Sequence, residues 1–432
     1  MVNQHVFCNT PWYEAHIYWD GSLGICCQES RKLHTDDNKY NIKNMTLAEW
    51  FNSEPVRQFR LDVLATTTSS DICSRCFNEE SHSGTSRRHR SNQKSVIFTK
   101  TAFQKSFEQS PGYDHFKFSE GMDGFTNTMP IDLHVDLGNY CNLSCKMCWS
   151  GASTSIATQM VKWGHEEDKK YLKTDWTKDP EVWDRFLNEL LAIPKLKNIH
   201  FMGGETLLTK RFEQFVDFLI EHKRFDLSLS FVTNGTTFNE DLIVKLKQFN
   251  RIGIEVSIET TTAHNSYVRQ GTDTKLVLAN IKRYQEHADR ITMSVTLRTA
   301  ISALTIGYYP TLLELCLEEK LLIKSLLVTG PTCMDVGVLP KEVKDQYKEK
   351  YHAILDKIAE VDISQDYNES DPNNYTRSVK MQAEQALKLL DQPEKVGLSD
   401  LVAMCRRWDD VFGFNAIELY PELAQVFKEY GY

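Results

Sequence analysis

Three closely set cysteines, Cys141, Cys145 and Cys148, are the residues of this chain best placed to do chemistry. They lie in the run Cys141-Asn142-Leu143-Ser144-Cys145-Lys146-Met147-Cys148, a Cys-x3-Cys-x2-Cys spacing. Three thiolates on one tight loop can hold three corners of a [4Fe–4S] cube. The fourth iron then lacks a protein ligand and stays open to a small molecule. A structural zinc site would want four ligands, and no fourth Cys or His lies on that loop. A cysteine-rich zinc protein is the competing reading.

Five further cysteines, Cys8, Cys26, Cys27, Cys73 and Cys76, fall near the N-terminus, the last two as a Cys-x2-Cys pair. Cys8 and Cys26-Cys27 bracket a segment with partial alternation, Glu14–Trp19, followed by the turn pair Asp20-Gly21, which predicts a β-hairpin. A four-cysteine zinc knuckle is the plain alternative for this group. Cys316, Cys333 and Cys405 stand alone; Cys316 and Cys405 read as packing. The histidines form no closely spaced pair beside a carboxylate that would suggest another metal.

The loop must be positioned, and the elements around it are regular. Strand-forming runs fall at Ile131–Leu137, Asn198–Met202, Leu227–Thr233, Arg251–Ile258, Ile291–Leu297 and Leu322–Val328. Helical spacing separates them, most clearly over Asp179–Ile193, where Asp179 can cap and Pro180 suits the first helical position. Further helices are expected at Arg211–His222, Glu240–Gln248, Lys275–Glu286 and Tyr309–Glu319. Six strands alternating with helices predict an α/β fold, a partial (β/α)6 TIM-like barrel. Beyond Pro340 only helices are expected, near Lys341–Glu360, Thr376–Leu390 and Asp400–Val411. The expected organisation is a cysteine-rich module at 1–90, a connector at 91–125, the barrel at 126–340 and C-terminal helices at 341–432.

A Cys-x3-Cys-x2-Cys loop directly after a first strand resembles the signature of the radical S-adenosylmethionine (SAM) superfamily. The resemblance implies that SAM chelates the open iron. One electron then cleaves it to methionine and a 5′-deoxyadenosyl radical that abstracts hydrogen from substrate. Functional groups in such barrels lie at the C-terminal strand ends, and the supporting motifs fall there. Gly203-Gly204-Glu205 after the second strand resembles the segment that receives the SAM ammonium. Thr233-Asn234-Gly235 and Ser257-Ile258-Glu259 look like elements that approach the SAM ribose and carboxylate. Arg269 matches a position that reaches the carboxylate, and Met147 and Trp149 match residues set beside the third cysteine, against the adenine.

The N-terminal hairpin plus Cys-x2-Cys is similar to the SPASM/Twitch auxiliary-cluster modules, here placed before the barrel. Trp50, Arg57 and Arg60 fit that pattern. The resemblance implies a second [4Fe–4S] cluster on Cys8, Cys26, Cys73 and Cys76, with Cys27 the alternative ligand. It also implies a peptide or protein substrate and an external one-electron reductant such as flavodoxin or ferredoxin. Cys333, just beyond the sixth strand, could donate hydrogen to a substrate radical. The alternatives are a small-molecule substrate, a sugar or nucleotide, and a non-catalytic iron–sulfur or zinc protein that senses redox state.

Composition bounds these readings. A hydrophobic fraction of 41% and a charged fraction of 25% over 432 residues suit a globular protein of two or three packed regions. The net charge of −9 argues against a generic grip on nucleic acid. Arg87-Arg88-His89-Arg90 is the local exception and reads as a solvated linker. No secretory leader is read in Met1–Tyr13, and no apolar run would span a bilayer. The expected compartment is the cytoplasm, where clustered cysteines bind metal more often than they pair.

Overall fold

The computed structural model describes residues 7–30, 32–65, 70–83, 86–94, 113–289, 291–328, 330–359 and 374–432. Its strands are β1 (Glu14–Ile17), β2 (Leu23–Gly24), β3 (Asp132–Asp136), β4 (Ser144–Cys145), β5 (Asn198–Met202), β6 (Ser228–Thr233), β7 (Arg251–Ser257), β8 (Arg269–Gln270), β9 (Met293–Ile301) and β10 (Leu322–Leu327). Eight of them form one mostly parallel sheet, and β4 with β8 forms a small separate one. Helices follow each of the six barrel strands, so the fold is α/β, a partial (β/α)6 barrel with an N-terminal cysteine module and C-terminal helices. Among the described residues no helix is long and apolar enough to cross a membrane.

The chain divides into two compact units, Met1–Tyr140 with His165–Phe231 and Val244–Ile252, and Cys141–Gly164 with Val232–Ile243 and Gly253–Tyr432. In the first unit β1 pairs antiparallel with β2 and parallel with β3; β3 pairs parallel with β5, and β5 with β6. The expected hairpin forms, and its first strand joins the sheet beside β3. Side chains alternate across a strand, so Leu133 and Val135, Ile199 and Phe201, and Leu229 and Phe231 share one buried face. Phe201 meets Phe212 and Phe215 of the helix Lys210–Glu221 at 5.0 and 4.9 Å. Burying such a side chain contributes about 2–3 kcal/mol. The opposite face is polar: His16, His134, His200 and Ser230 lie in one register row.

The helix Pro180–Leu191 forms as its sequence requires. Asp179 accepts from Glu181 N at 3.1 Å and Val182 N at 3.3 Å, and Val182, Phe186, Leu187 and Leu190 are buried. In the second unit β9 and β10 pair parallel over six residues. The C-terminal segment forms helices at Lys341–Ile358, Asn374–Leu390 and Leu398–Phe412.

The basic run corrects its reading. Arg87–Lys94 is a helix, Arg88 is 2% exposed and pairs with Glu80 at 2.6 Å, and Arg87 pairs with buried Glu14. A run in which Arg87 and Arg88 pair with carboxylates is part of the fold rather than a solvated linker. Of the expected connector, residues 95–112 lie outside the described residues, and Tyr113–Gly121 is helical.

Candidate functional site

In the second unit the loop Cys141–Cys148 is stitched at both ends. Ser153 caps the helix Thr154–Lys162 and donates to Leu143 O at 2.8 Å, while Ser155 donates to Cys141 O at 2.7 Å. On the other side β4 pairs antiparallel with β8, placing Cys145 opposite Arg269, and Lys146 N donates to Val268 O at 2.8 Å. The fold thus holds three thiols on a short stretch whose own backbone is committed.

N–H groups are aimed at the sulfurs. Leu143 N stands 3.4 Å from Cys141 Sγ, Asn234 Nδ2 4.0 Å from the same atom, and an Arg269 terminal nitrogen 3.9 Å from Cys145 Sγ. Such donors favour thiolate over thiol. Burial opposes them: it pushes Cys145 well above its ordinary value and Cys148 to about 11. Burial thus disfavours free thiolate at Cys145 and Cys148, a cost that an electron-deficient group offsets when it takes the thiolates as ligands. Three thiols on one loop are, by donor chemistry, the type that an iron–sulfur cluster takes.

The surrounding motif residues take specific places. Asn234 donates to Asn142 Oδ1 at 2.8 Å and accepts from Thr236 N at 3.0 Å, fixing its amide beside Cys141. Ser257 closes β7. Glu259 is fully buried, and Arg269 holds it by two bonds, one of 2.8 Å, while Ala300 N donates to it at 3.3 Å. The two residues read separately in the sequence are one ion pair. Met147 is half-buried, and Trp149 is 56% exposed with its ring over Gly151.

In the first unit Gly203 and Gly204 both have positive φ, +82° and +53°. A Cβ on Gly204 would stand 2.2 Å from Tyr140 O, so only glycine allows this approach to the residue before Cys141. Glu205 N donates to Tyr140 O at 2.7 Å, and the buried Glu205 carboxylate accepts from Leu207 N at 3.1 Å.

The N-terminal cysteines also lie in the first unit. Cys73 and Cys76 sit one turn apart on the helix Ser70–Ser83. Ser30 ties the Cys26-Cys27 loop to that helix, its N donating to Ile72 O at 2.9 Å and its Oγ accepting from Arg75 N at 3.0 Å. Trp50 is buried and donates to Gly24 O at 3.0 Å, and Arg60 reaches Pro11 O at 2.9 Å and Phe51 O at 2.7 Å. Arg57 pairs with Asp123. Burial raises Cys8 to about 11 and Cys73 to about 12, and the charge of Cys76 adds to both. Cys26 is raised as well, by burial first and by Cys8 among its neighbours.

Cys27 differs. Burial would raise it, but the charges of His134 and Arg87 and a hydrogen bond with His134 outweigh burial and bring it to about 6. His134 Nε2 in turn stands 2.7 Å from Glu14 Oε1. Cys27 thus faces a buried cation pair, while Cys26 faces Glu29, Glu14, Cys27 and Cys8.

Sequence reading missed this pair, the polar strand face and Lys146, which is 3% exposed. Alternation of polar residues along Glu14–Ile17 and Asp132–Asp136 was the signal for the first two. Cys316 and Cys405 are fully buried on helices, as expected of packing residues. Cys333 lies in the short helix Thr332–Met334 with its Sγ 3.8 Å from Met404 Sδ.

Residues 135–302 match the family model of the Radical SAM superfamily, and residues 8–77 match SPASM, an iron–sulfur cluster-binding domain. Over 147 residues, 33% of this chain and 29% of the relative, it is 24% identical to the radical SAM cyclopropyl synthase TigE of Paramaledivibacter caminithermalis. Over 125 residues, 29% of this chain and 28% of the relative, it is 26% identical to the tungsten-containing aldehyde ferredoxin oxidoreductase cofactor-modifying protein of Pyrococcus furiosus. The chain thus spans under a third of the length of these curated relatives. Among solved structures, anSMEcpe with bound AdoMet gives a TM-score of 0.40 at 16% identity, over 53% of this chain and 62% of that one. Streptococcus suis SuiB bound to its precursor peptide SuiA gives 0.40 at 14%, over 83% and 70%.

Proposed function

Because the chain belongs to the radical SAM superfamily and carries a SPASM-type module, we propose that it reductively cleaves SAM and uses the product to modify a peptide or protein. When bound, the cluster and SAM supply the hard chemistry: one electron splits the sulfonium into methionine and a 5′-deoxyadenosyl radical, which takes hydrogen from substrate. The observation that carries the reading is the loop itself. Two of the three thiols, Cys141 and Cys145, receive N–H groups at sulfur, while residues 138–164 contain no further Cys, His, Asp or Glu. Such a loop leaves one cluster corner for another ligand.

Cys141, Cys145 and Cys148 hold the SAM-binding [4Fe–4S] cluster. Arg269 fixes Glu259 and directs N–H toward Cys145, while Asn234 does so toward Cys141. Gly203, Gly204, Glu205, Ser257, Met147 and Trp149 complete the SAM contacts in this reading. A second [4Fe–4S] cluster takes Cys8, Cys26, Cys73 and Cys76. Cys26 is preferred to Cys27 for its spacing from the Asp20-Gly21 turn, and Cys27 is engaged by His134. The SPASM-type match supports a peptide or protein substrate, since modules of this kind accompany such substrates. A cytoplasmic flavodoxin or ferredoxin would deliver the electron.

Anaerobic purification should give a brown protein with about eight irons per chain. Dithionite-reduced protein should then release 5′-deoxyadenosine from SAM, and Cys145→Ala should abolish that release. A colourless zinc protein, or one that forms no 5′-deoxyadenosine after full reconstitution, would sink the proposal.

A further inference from the structure

We infer that Lys146 is a positioning residue for the three-cysteine loop, clamped by an aromatic box of Tyr267, Trp408 and Phe414, so that the C-terminal helices serve the cluster site. The inference rests on the reading of Cys141, Cys145 and Cys148 as cluster ligands. All of the residues involved lie in the second unit.

Lys146 stands between two ligand cysteines, where a lysine is expected to reach for water. Instead it is 3% exposed. Its Nζ donates to Tyr267 O at 2.7 Å and lies 3.6 Å from the Tyr267 ring centre, 4.9 Å from that of Trp408 and 5.8 Å from that of Phe414. Taking an ammonium out of water costs several kcal/mol. Desolvated cation–π contacts, at about 2 kcal/mol each, and a charge-assisted hydrogen bond offset that cost. The head therefore stays buried only while the rings stay in place.

The rings are held in turn. Tyr267 is fully buried and meets Phe414 and Tyr420 edge-on at 5.4 and 5.6 Å. Trp408, on the helix Leu398–Phe412, packs edge-on against Trp163 at 5.2 Å and stacks on Phe412 at 5.2 Å. Trp408 and Phe414 lie beyond the residues that match the superfamily. Only Lys146 and Met147 separate Cys145 from Cys148. A clamp at the first, together with its N–H bond to Val268 O at 2.8 Å, limits how far either thiol can turn. The C-terminal segment thus acts on the loop through Lys146.

The test uses the full-length reconstituted protein with Lys146→Met, which keeps the stem and removes the ammonium, together with Lys146→Arg and Trp408→Phe. Iron loss to a chelator and the electron paramagnetic resonance signal of the reduced protein, with and without SAM, report the cluster; melting of the cluster-free protein reports the fold. Lys146→Met should lose the SAM-responsive cluster about tenfold faster, as loss of a supporting shell does, and give a heterogeneous signal. Trp408→Phe should fall between it and wild type, and Lys146→Arg should restore most of the retention. If the variants merely lower the melting temperature while iron loss and signal match wild type, the clamp is structural and the inference is overturned. A wild-type protein with no SAM-responsive signal overturns the underlying reading, and the inference with it.

Discussion

At the scale of single residues the informative contact is Arg269 with Glu259. A fully buried carboxylate is tolerated because the guanidinium meets it with two bonds, and the same guanidinium reaches Cys145. Removing one partner leaves a buried charge uncompensated, at roughly 3 kcal/mol or more. Arg269→Met should therefore destabilise the cluster-free protein strongly in urea. Adding Glu259→Gln should recover part of that loss, because a neutral amide is cheaper to bury. A double variant no more stable than the single would refute the coupling. Both residues were singled out in the sequence as site candidates, but their pairing was not legible: they stand ten positions apart with no shared periodicity. Lys146 was illegible for a different reason. Lysine types read as solvated, and nothing in residues 141–148 announces an aromatic box more than 250 residues away at Trp408.

At the scale of elements, hydrophobic periodicity located the barrel strands closely, since each buries one apolar face; β5 falls where it was expected, at Asn198–Met202. Strand ends were less legible, and β9 runs on to Ile301, beyond the expected Leu297. The basic run Arg87–Arg90 misled because charge alone does not reveal that Glu14 and Glu80 wait for it. Connections between elements depend on backbone approach, and Gly204 is the sharpest case. Its φ of +53° and the 2.2 Å separation of a Cβ from Tyr140 O act together. Gly204→Ala should cost at least 1–2 kcal/mol through a strained backbone and a displaced carbonyl. Because Tyr140 precedes Cys141, it should also lower the iron bound after reconstitution. Unchanged melting and iron content would mean that the turn yields without consequence.

At the scale of the molecule, the C-terminal segment of the second unit is fastened by polar bonds that the sequence left unexplained. Tyr420 donates to Leu304 O at 2.9 Å, Tyr308 to Glu422 at 3.0 Å, and His264 Nε2 to Leu419 O at 2.8 Å. His264 also stacks on Tyr308 at 3.3 Å and takes Thr262 Oγ1 at its other nitrogen, 2.8 Å away. Burial disfavours the imidazolium and lowers this histidine to about 4 from 6.5, although the Leu419 carbonyl pulls the other way. Between those two values the unfolded chain binds the proton and the folded chain does not, so stability rises with pH across that window. The contribution is full above pH ~6.5 and is lost as pH falls toward ~4, on the order of 2 kcal/mol. Urea unfolding of the cluster-free protein should therefore show a steeper acid loss for wild type than for His264→Gln, which stays neutral throughout. The glutamine variant should be weaker near pH 7, where it loses the ring stack, yet flatter below it. Parallel slopes for the two proteins would show that His264 does not carry the acid sensitivity of the C-terminal docking.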